Sequence, residues 1–254
     1  MSDNRQNFVM IPDAEPEPPP PPMGLLARLR TALQLLLPGA VVPVAADEIP
    51  TRPRLVFAFD ATASREPAWA TARQVTDALV KALPGELDVA LAVHGGSRLH
   101  TFTSFTSDAR TLRDRAAGIS CMPGFTRLLP ILAQSLKRPG VRVIVYIGDV
   151  FEESLGRGRN LADQLAAQGI KLIVLHDTAD RAARNYGEIF NDLARRTGGC
   201  VLPFDATAPE KLRDLLAAVA VFAVGGRNLL REKRNDLPGA LVLLEHLDDD
   251  RKRR

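Results

Sequence analysis

Cysteine is nearly absent from this chain. Its 254 residues include only Cys121 and Cys200, far apart and in neither a CxxC nor a Cys/His ligand spacing, so a disulfide framework is not expected. No apolar run approaches the roughly 18 residues of a spanning helix. The first residues, "MSDNRQNFVMIPDAEP", lack the charged-then-apolar order of a secretory signal. Cytosolic, reduced surroundings are therefore the default expectation. Net charge is small as well, +3 formally, and the terminal "RKRR" directly follows an acidic "DDD". That leaves no continuous basic footprint for nucleic acid.

Several catalytic signatures are missing too. Ser64 is not in a G-x-S-x-G elbow, and the four histidines, 94, 100, 176 and 246, form no motif that marks a base. Neither a GxGxxG in a strand-to-helix setting nor a GxxxxGK[ST] is present; "LGRGRN" is only a weak echo. There is no internal repeat.

The chain divides by composition. Residues 1–23 close on a proline run that favours extended polyproline II and read as a disordered tail. In "GLLARLRTALQLLLP", residues 24–37 form an amphipathic helix with Leu25, Leu26, Leu29, Leu33, Leu36 and Leu37 on one face. Packing on the domain behind it is the expected role, with a partner-binding helix as the alternative. A membrane-surface role is disfavoured, since only two arginines could attract anionic lipid. Residues 38–53, broken by Pro43, Pro50 and Pro53, read as a linker.

From residue 54 short β-rich runs alternate with helical ones: "RLVFAFD", "ELDVALAVHGG", "SRLHTFTSF", "VRVIVYIGD", "IKLIVLHD" and "CVLPF" are strands. Between them, "EPAWATARQVTDALVKAL" reads as one helix with Trp69 in the core, and "PEKLRDLLAAVAVFAVGG" closes a domain spanning 54–224. This alternation implies an α/β class: a three-layer, doubly wound, mainly parallel sheet with helices on both faces and right-handed crossovers. Residues 225–254 add an extension whose "LPGALVLLEHL" could dock on the body, then a charged tail. His94 and His176 are expected to be strand-end residues with a local hydrogen bond, and Cys121 a buried, inert thiol.

In such sheets ligands sit beyond the carboxyl ends of the strands, which directs attention to the loops after "FAFD" and "YIGD". A haloacid-dehalogenase-like phosphotransferase would need a second aspartate two residues after Asp60, where Thr62 stands. Helix capping would explain one or two residues of "DATAS" but not the set. A hard divalent cation, Mg²⁺ or else Mn²⁺ or Ca²⁺, prefers oxygen donors, and Asp60, Thr62 and Ser64 offer three from one loop. A second loop has to contribute the rest.

"DATAS" resembles the D-x-S-x-S motif of von Willebrand factor A domains, with a threonine replacing the first serine. "PGFTRLLPIL", 123–132, is similar to the family's second loop and matches at Thr126, and "VYIGDV" matches at Asp149. The whole chain looks most like bacterial members carrying "FALDAT"-like and "GDAxEE"-like stretches. The resemblance implies a metal-ion-dependent adhesion site (MIDAS). In the family, hydroxyls such as those of Thr62, Ser64 and Thr126 contact the metal, while carboxylates such as Asp60 and Asp149 often act through water. An acidic residue of a partner protein completes the coordination. It thus implies a non-enzymatic, metal-dependent protein-binding module, against the alternatives of a metal-dependent hydrolase or phosphotransferase using Asp60 and of a degenerate, metal-free scaffold. Gly148 and Val150 depart from the family pattern, and Glu152 and Glu153 are extra carboxylates at the rim. Either could bind the metal in cis; the expectation is that they point to water.

Overall fold

The computed structural model describes residues 50–83 and 85–252, and side chains as far as residue 248. The proline-rich tail, the amphipathic helix 24–37 and linker residues 38–49 lie outside the described residues. Six strands form one sheet: β1 (Arg54–Asp60), β2 (Asp88–Gly95), β3 (Arg98–Phe102), β4 (Val141–Gly148), β5 (Lys171–Asp177) and β6 (Cys200–Phe204), in the order β3-β2-β1-β4-β5-β6. All neighbours are parallel except β2 and β3, which are antiparallel. The expected mainly parallel α/β sheet is therefore the observed one.

Strand side chains alternate between two cores because successive residues point to opposite faces. Leu55, Phe57 and Phe59 of β1 join Val143, Val145 and Ile147 of β4 on one face. Val56 and Ala58 join Ile144 and Tyr146 on the other. Both faces are covered, so these strands read as unbroken apolar runs. Helices α1 (Glu66–Val75), α2 (Ala78–Lys81), α3 (Ala109–Ala117), α7 (Pro209–Glu232) and α8 (Pro238–Lys252) contribute to the first core. Helices α4 (Leu128–Leu136), α5 (Leu155–Ala167) and α6 (Gly187–Thr197) contribute to the second.

Local signals explain several helix ends. Asp108 caps α3 by accepting from Thr111 N at 2.7 Å. Helix α6 stops at Gly198, whose φ of 74° suits a residue without a Cβ. Trp69 is fully buried, stacks 4.5 Å from the ring of Phe59 and donates from Nε1 to Ile119 O.

Two expectations need correction. The single helix over 66–83 is two: Thr76 and Asp77 keep right-handed helical φ and ψ, but the ladder changes there to the i−3 bonds Leu79 N to Thr76 O and Val80 N to Asp77 O, and α1 ends at Val75. The third strand ends at Phe102 rather than Phe105. The helix expected to close at Gly225 and Gly226 does break there: Gly226 has a non-helical φ of 63° and ψ of −155°, a kink beyond which a second helical stretch runs on to Glu232. Beyond it, α8 packs back, burying Ala240, Leu243 and Leu247 in the first core. No described helix is long and apolar enough to cross a membrane.

Trp69 fills the space between α1 and the sheet, so Trp69→Ala should cost about 3–5 kcal/mol, read as a lowered midpoint with an unchanged slope in denaturant unfolding.

Candidate metal centre

The order of strands reverses between β1 and β4, where the next strands wind off in opposite directions. Phe59 lies opposite Ile147, so the residues leaving these two strands, Asp60 and Asp149, emerge side by side at the carboxyl end. Asp60 is fully buried. Its Oδ1 accepts from Thr62 N at 2.9 Å, a turn that bends the chain out of the strand. The other oxygen, Oδ2, is buried and has no hydrogen-bond partner among the described residues. Burial pushes the Asp60 carboxyl above its ordinary range, against the opposing pull of Thr62 and Arg65. Asp149 is raised too, by burial and by the neighbouring Asp60, with Arg65 opposing.

Between these acids sits a cation the sequence reading passed over. Arg65, at the end of the short 3₁₀ turn Ala63–Arg65, is only 6% exposed. Its Nη1 lies 3.6 Å from Asp149 Oδ2 and its Nη2 lies 2.8 Å from Asp177 Oδ2. The shorter contact is an ion pair by distance but off the hydrogen-bond line, so Nε and Nη2 remain without a hydrogen-bond partner. Asp177 ends β5 and is itself buried, with Oδ1 accepting from Ala179 N.

The second loop is fixed to the first by backbone. Met122 N donates to Ala61 O at 2.8 Å, and Thr62 and Met122 form an isolated parallel bridge. Gly124 crosses the β2–β3 turn so closely that a Cβ would meet Gly96 C at 2.8 Å, and its φ is 152°, so glycine is required there. Phe125 N then donates to Ser97 Oγ, and Arg127 Nε to Ser97 O.

Thr126 is buried, and Glu152 clamps it: Oε2 accepts from Thr126 N at 2.8 Å and from Thr126 Oγ1 at 3.3 Å, while Glu152 N donates to Thr126 Oγ1. Glu153 Oε2 accepts from Leu129 N in the first turn of α4. The expectation that these two glutamates point to water is therefore wrong. They supply the anion that the free N–H groups and dipole of an uncapped helix start attract, Arg127 at that start making no cap bond of its own.

Two histidines line the floor. His94 is fully buried, bonded through Nε2 to Tyr146 Oη at 3.0 Å, with Nδ1 3.6 Å from Asp60 Oδ1. Burial lowers its pKa to about 3, so it is neutral. His176 Nε2 contacts Asp149 O at 3.0 Å. Both are strand-end residues as expected, but their hydrogen bonds are not local: the partners, Tyr146 and Asp149, belong to β4 and the residue after it. Cys121 is half-buried rather than buried, and burial together with Glu66 pushes its thiol up to about 12, which keeps it unreactive.

Of the residues named from sequence, Asp60, Thr62 and Asp149 come together, and Thr126 sits on the loop bridged to Thr62. Ser64 is exposed on the 3₁₀ turn. Arg65, Asp177 and the clamp by Glu152 were missed. A signal for Asp177 existed, since "IKLIVLHD" ends in aspartate as "RLVFAFD" and "VRVIVYIGD" do.

The donors brought together, the carboxylates of Asp60 and Asp149 and the hydroxyl of Thr62, are of the kind a hard divalent cation takes, and the orphaned Asp60 Oδ2 lacks a counterpart. Among the described residues no three His, Cys, Asp or Glu side chains converge as a cage, so holding such an ion requires the hydroxyls.

No family model matches the sequence, and no curated protein matches it. Solved structures do. A von Willebrand factor type A protein from Catenulispora acidiphila aligns at TM-score 0.55 and 13% identity, over 67% of this chain and 43% of that one. The fold is that of a von Willebrand factor A domain. An aerotolerance-related membrane protein from Bacteroides fragilis aligns at TM-score 0.51 and 18% identity, over 65% of this chain and 98% of that one. Proximal thread matrix protein 1 from the mussel byssus, solved with a zinc-occupied MIDAS motif, aligns at TM-score 0.52 and 11% identity, over 66% of this chain and 46% of that one. At these identities the likeness shows the fold alone. The chain spans less than half the length of the first and third of these proteins and nearly all of the second. In this von Willebrand A fold the carboxyl ends of β1 and β4 and the loop holding Thr126 form one rim.

Removing the remote cap should loosen that rim. Glu153→Ala is expected to cost about 1 kcal/mol at neutral pH, and Glu153→Gln less, since the amide oxygen can still accept from Leu129 N; thermal unfolding of both variants measures it.

Proposed function

We propose that this chain is a non-enzymatic, metal-dependent protein-binding module, in which a divalent cation, Mg²⁺ in the first instance, is held at the carboxyl end of β1 and β4 and captures an acidic residue of a partner protein. The observation that carries the reading is Asp60 Oδ2, a fully buried carboxylate oxygen without a partner beside a second carboxylate, Asp149, and among loops that present hydroxyls. Arg65 offsets part of this charge without bonding to Asp60, and a cation is the direct counterpart that the buried Oδ2 lacks. When bound, the cation would supply an electrophilic position towards an incoming carboxylate oxygen.

The chain's own residues do the rest. Asp60 and Asp149 supply the charge, and Thr62, Ser64 and Thr126 supply neutral oxygens that leave that charge unsaturated. Thr62 also orients Asp60 through its amide. Phe125, beside Thr126 and 58% exposed, offers an apolar contact at the rim for whatever docks there.

A hydrolase or phosphotransferase using Asp60 is the poorer reading. A nucleophile has to meet an external substrate, and Asp60 is fully enclosed with one oxygen already bonded to Thr62 N. A partner protein is the natural source of the carboxylate, and the mussel protein of similar fold, solved with a zinc-occupied MIDAS motif, supports the reading of a divalent ion here.

Mg²⁺ at a hundredfold excess over its Kd should raise the melting temperature by about 5–10 °C, a shift that Asp60→Ala abolishes. A melting curve unmoved by Mg²⁺, Mn²⁺, Ca²⁺ or chelator would rule the reading out. The same protein used as bait should retain its partner from extract with Mg²⁺ and lose it with chelator.

A further inference from the structure

Arg65 is the one buried guanidinium among the described residues, and it lies against the residues proposed to hold the metal. Three features set it apart from a structural ion pair. Its two acids belong to different strand ends, Asp149 after β4 at 3.6 Å and Asp177 at the end of β5 at 2.8 Å. Two of its nitrogens, Nε and Nη2, have no hydrogen-bond partner, although buried charges are ordinarily saturated with bonds. It is therefore held by charge more than by bonding geometry. Finally, the closer acid is Asp177, which is not one of the proposed metal ligands, so Arg65 keeps a counter-ion if Asp149 turns away from it.

We propose that Arg65 is a built-in counter-ion that stands in for the divalent cation when none is bound and sets the affinity of the site, Asp149 being shared between the guanidinium and the metal. The inference rests on the metal-dependent reading above. Its physical basis is simple: a fixed positive charge beside a cation site repels the incoming ion, and one of the carboxylates the ion needs is already engaged. The Arg65 charge also acts on Asp60, favouring its ionised form, so it bears on both carboxylates at once. The consequence is a site that stays folded without metal and releases metal readily. Arg65 is a positioning residue here, acting through Asp149.

The test is calorimetric titration of Mg²⁺ into the full chain and three variants. Arg65→Gln should bind Mg²⁺ at least about tenfold more tightly than the unaltered chain, and Arg65→Lys should stay close to it, because the charge remains. Arg65→Gln strands the charge of Asp177 and is expected to lower the melting temperature; the double variant Arg65→Gln, Asp177→Asn removes that stranded charge, recovers folding and should keep the tighter binding. A purely structural role for Arg65 would move stability without raising affinity. Affinity unchanged or weakened in both the single and the double variant, with the unaltered chain binding normally, overturns the inference and leaves the metal reading standing. Binding in the variants but not in the unaltered chain supports the inference in its strongest form. Absence of Mg²⁺ binding in all four proteins overturns both.

Discussion

The pairing of β1 with β4 at the centre of the sheet is the constraint on which the rest depends. Each strand contributes alternate side chains to two separate cores, so beyond Arg54 and Arg142 at their amino ends both are apolar on both faces. The first place where either can end its apolar run is the carboxyl edge. Both do so there with an aspartate, one strand spacing apart.

That placement sets up an electrostatic problem. Two carboxylates raised by burial, with a third at the end of β5, converge on a region shielded from water. Arg65 offsets part of this charge, and its position follows from the local chain: Thr62 bonding back to Asp60 bends the strand into a 3₁₀ turn, which ends at residue 65 over the strand ends. One carboxylate oxygen remains unmatched, at the point where the strand order reverses. The rim is built by the opposite charge logic. The start of α4 exposes unbonded N–H groups, and Glu152 and Glu153, arriving from the loop after β4, satisfy them and pin the hydroxyl of Thr126. Fold and site thus share a loop, and changes at the glutamates should be felt at the threonine.

Much of this was legible in the chain. The unbroken runs "LVFAF" and "VIVYIG" announced central strands, because a strand buried on both faces loses its polar alternation. Proline and glutamate at the head of α1 and glycine at the end of α6 marked helix ends through backbone chemistry that acts within a few residues. The pairing of "DATAS" with Asp149 was visible only through the resemblance to the von Willebrand factor A motifs. The length of the first helix was misread because Thr76 and Asp77, both acceptable in a helix and both with helical backbone angles, accept i−3 bonds from Leu79 N and Val80 N, a change of ladder that no side-chain pattern marks. The roles of Glu152 and Glu153 were misread because their targets lie more than twenty residues away, on a helix whose own first residue cannot cap it.

The sequence by itself determined the alternation of strand and helix, the two-faced burial of the sheet and the oxygen-rich character of its carboxyl edge, since each depends on local periodicity and side-chain chemistry. Only the tertiary structure decided which charges meet. Arg65 reaches Asp149 and Asp177 across 84 and 112 residues of chain, and no local pattern encodes such a distance. It is fixed by strand order and register, which bring three strand ends and one turn to the same few ångströms.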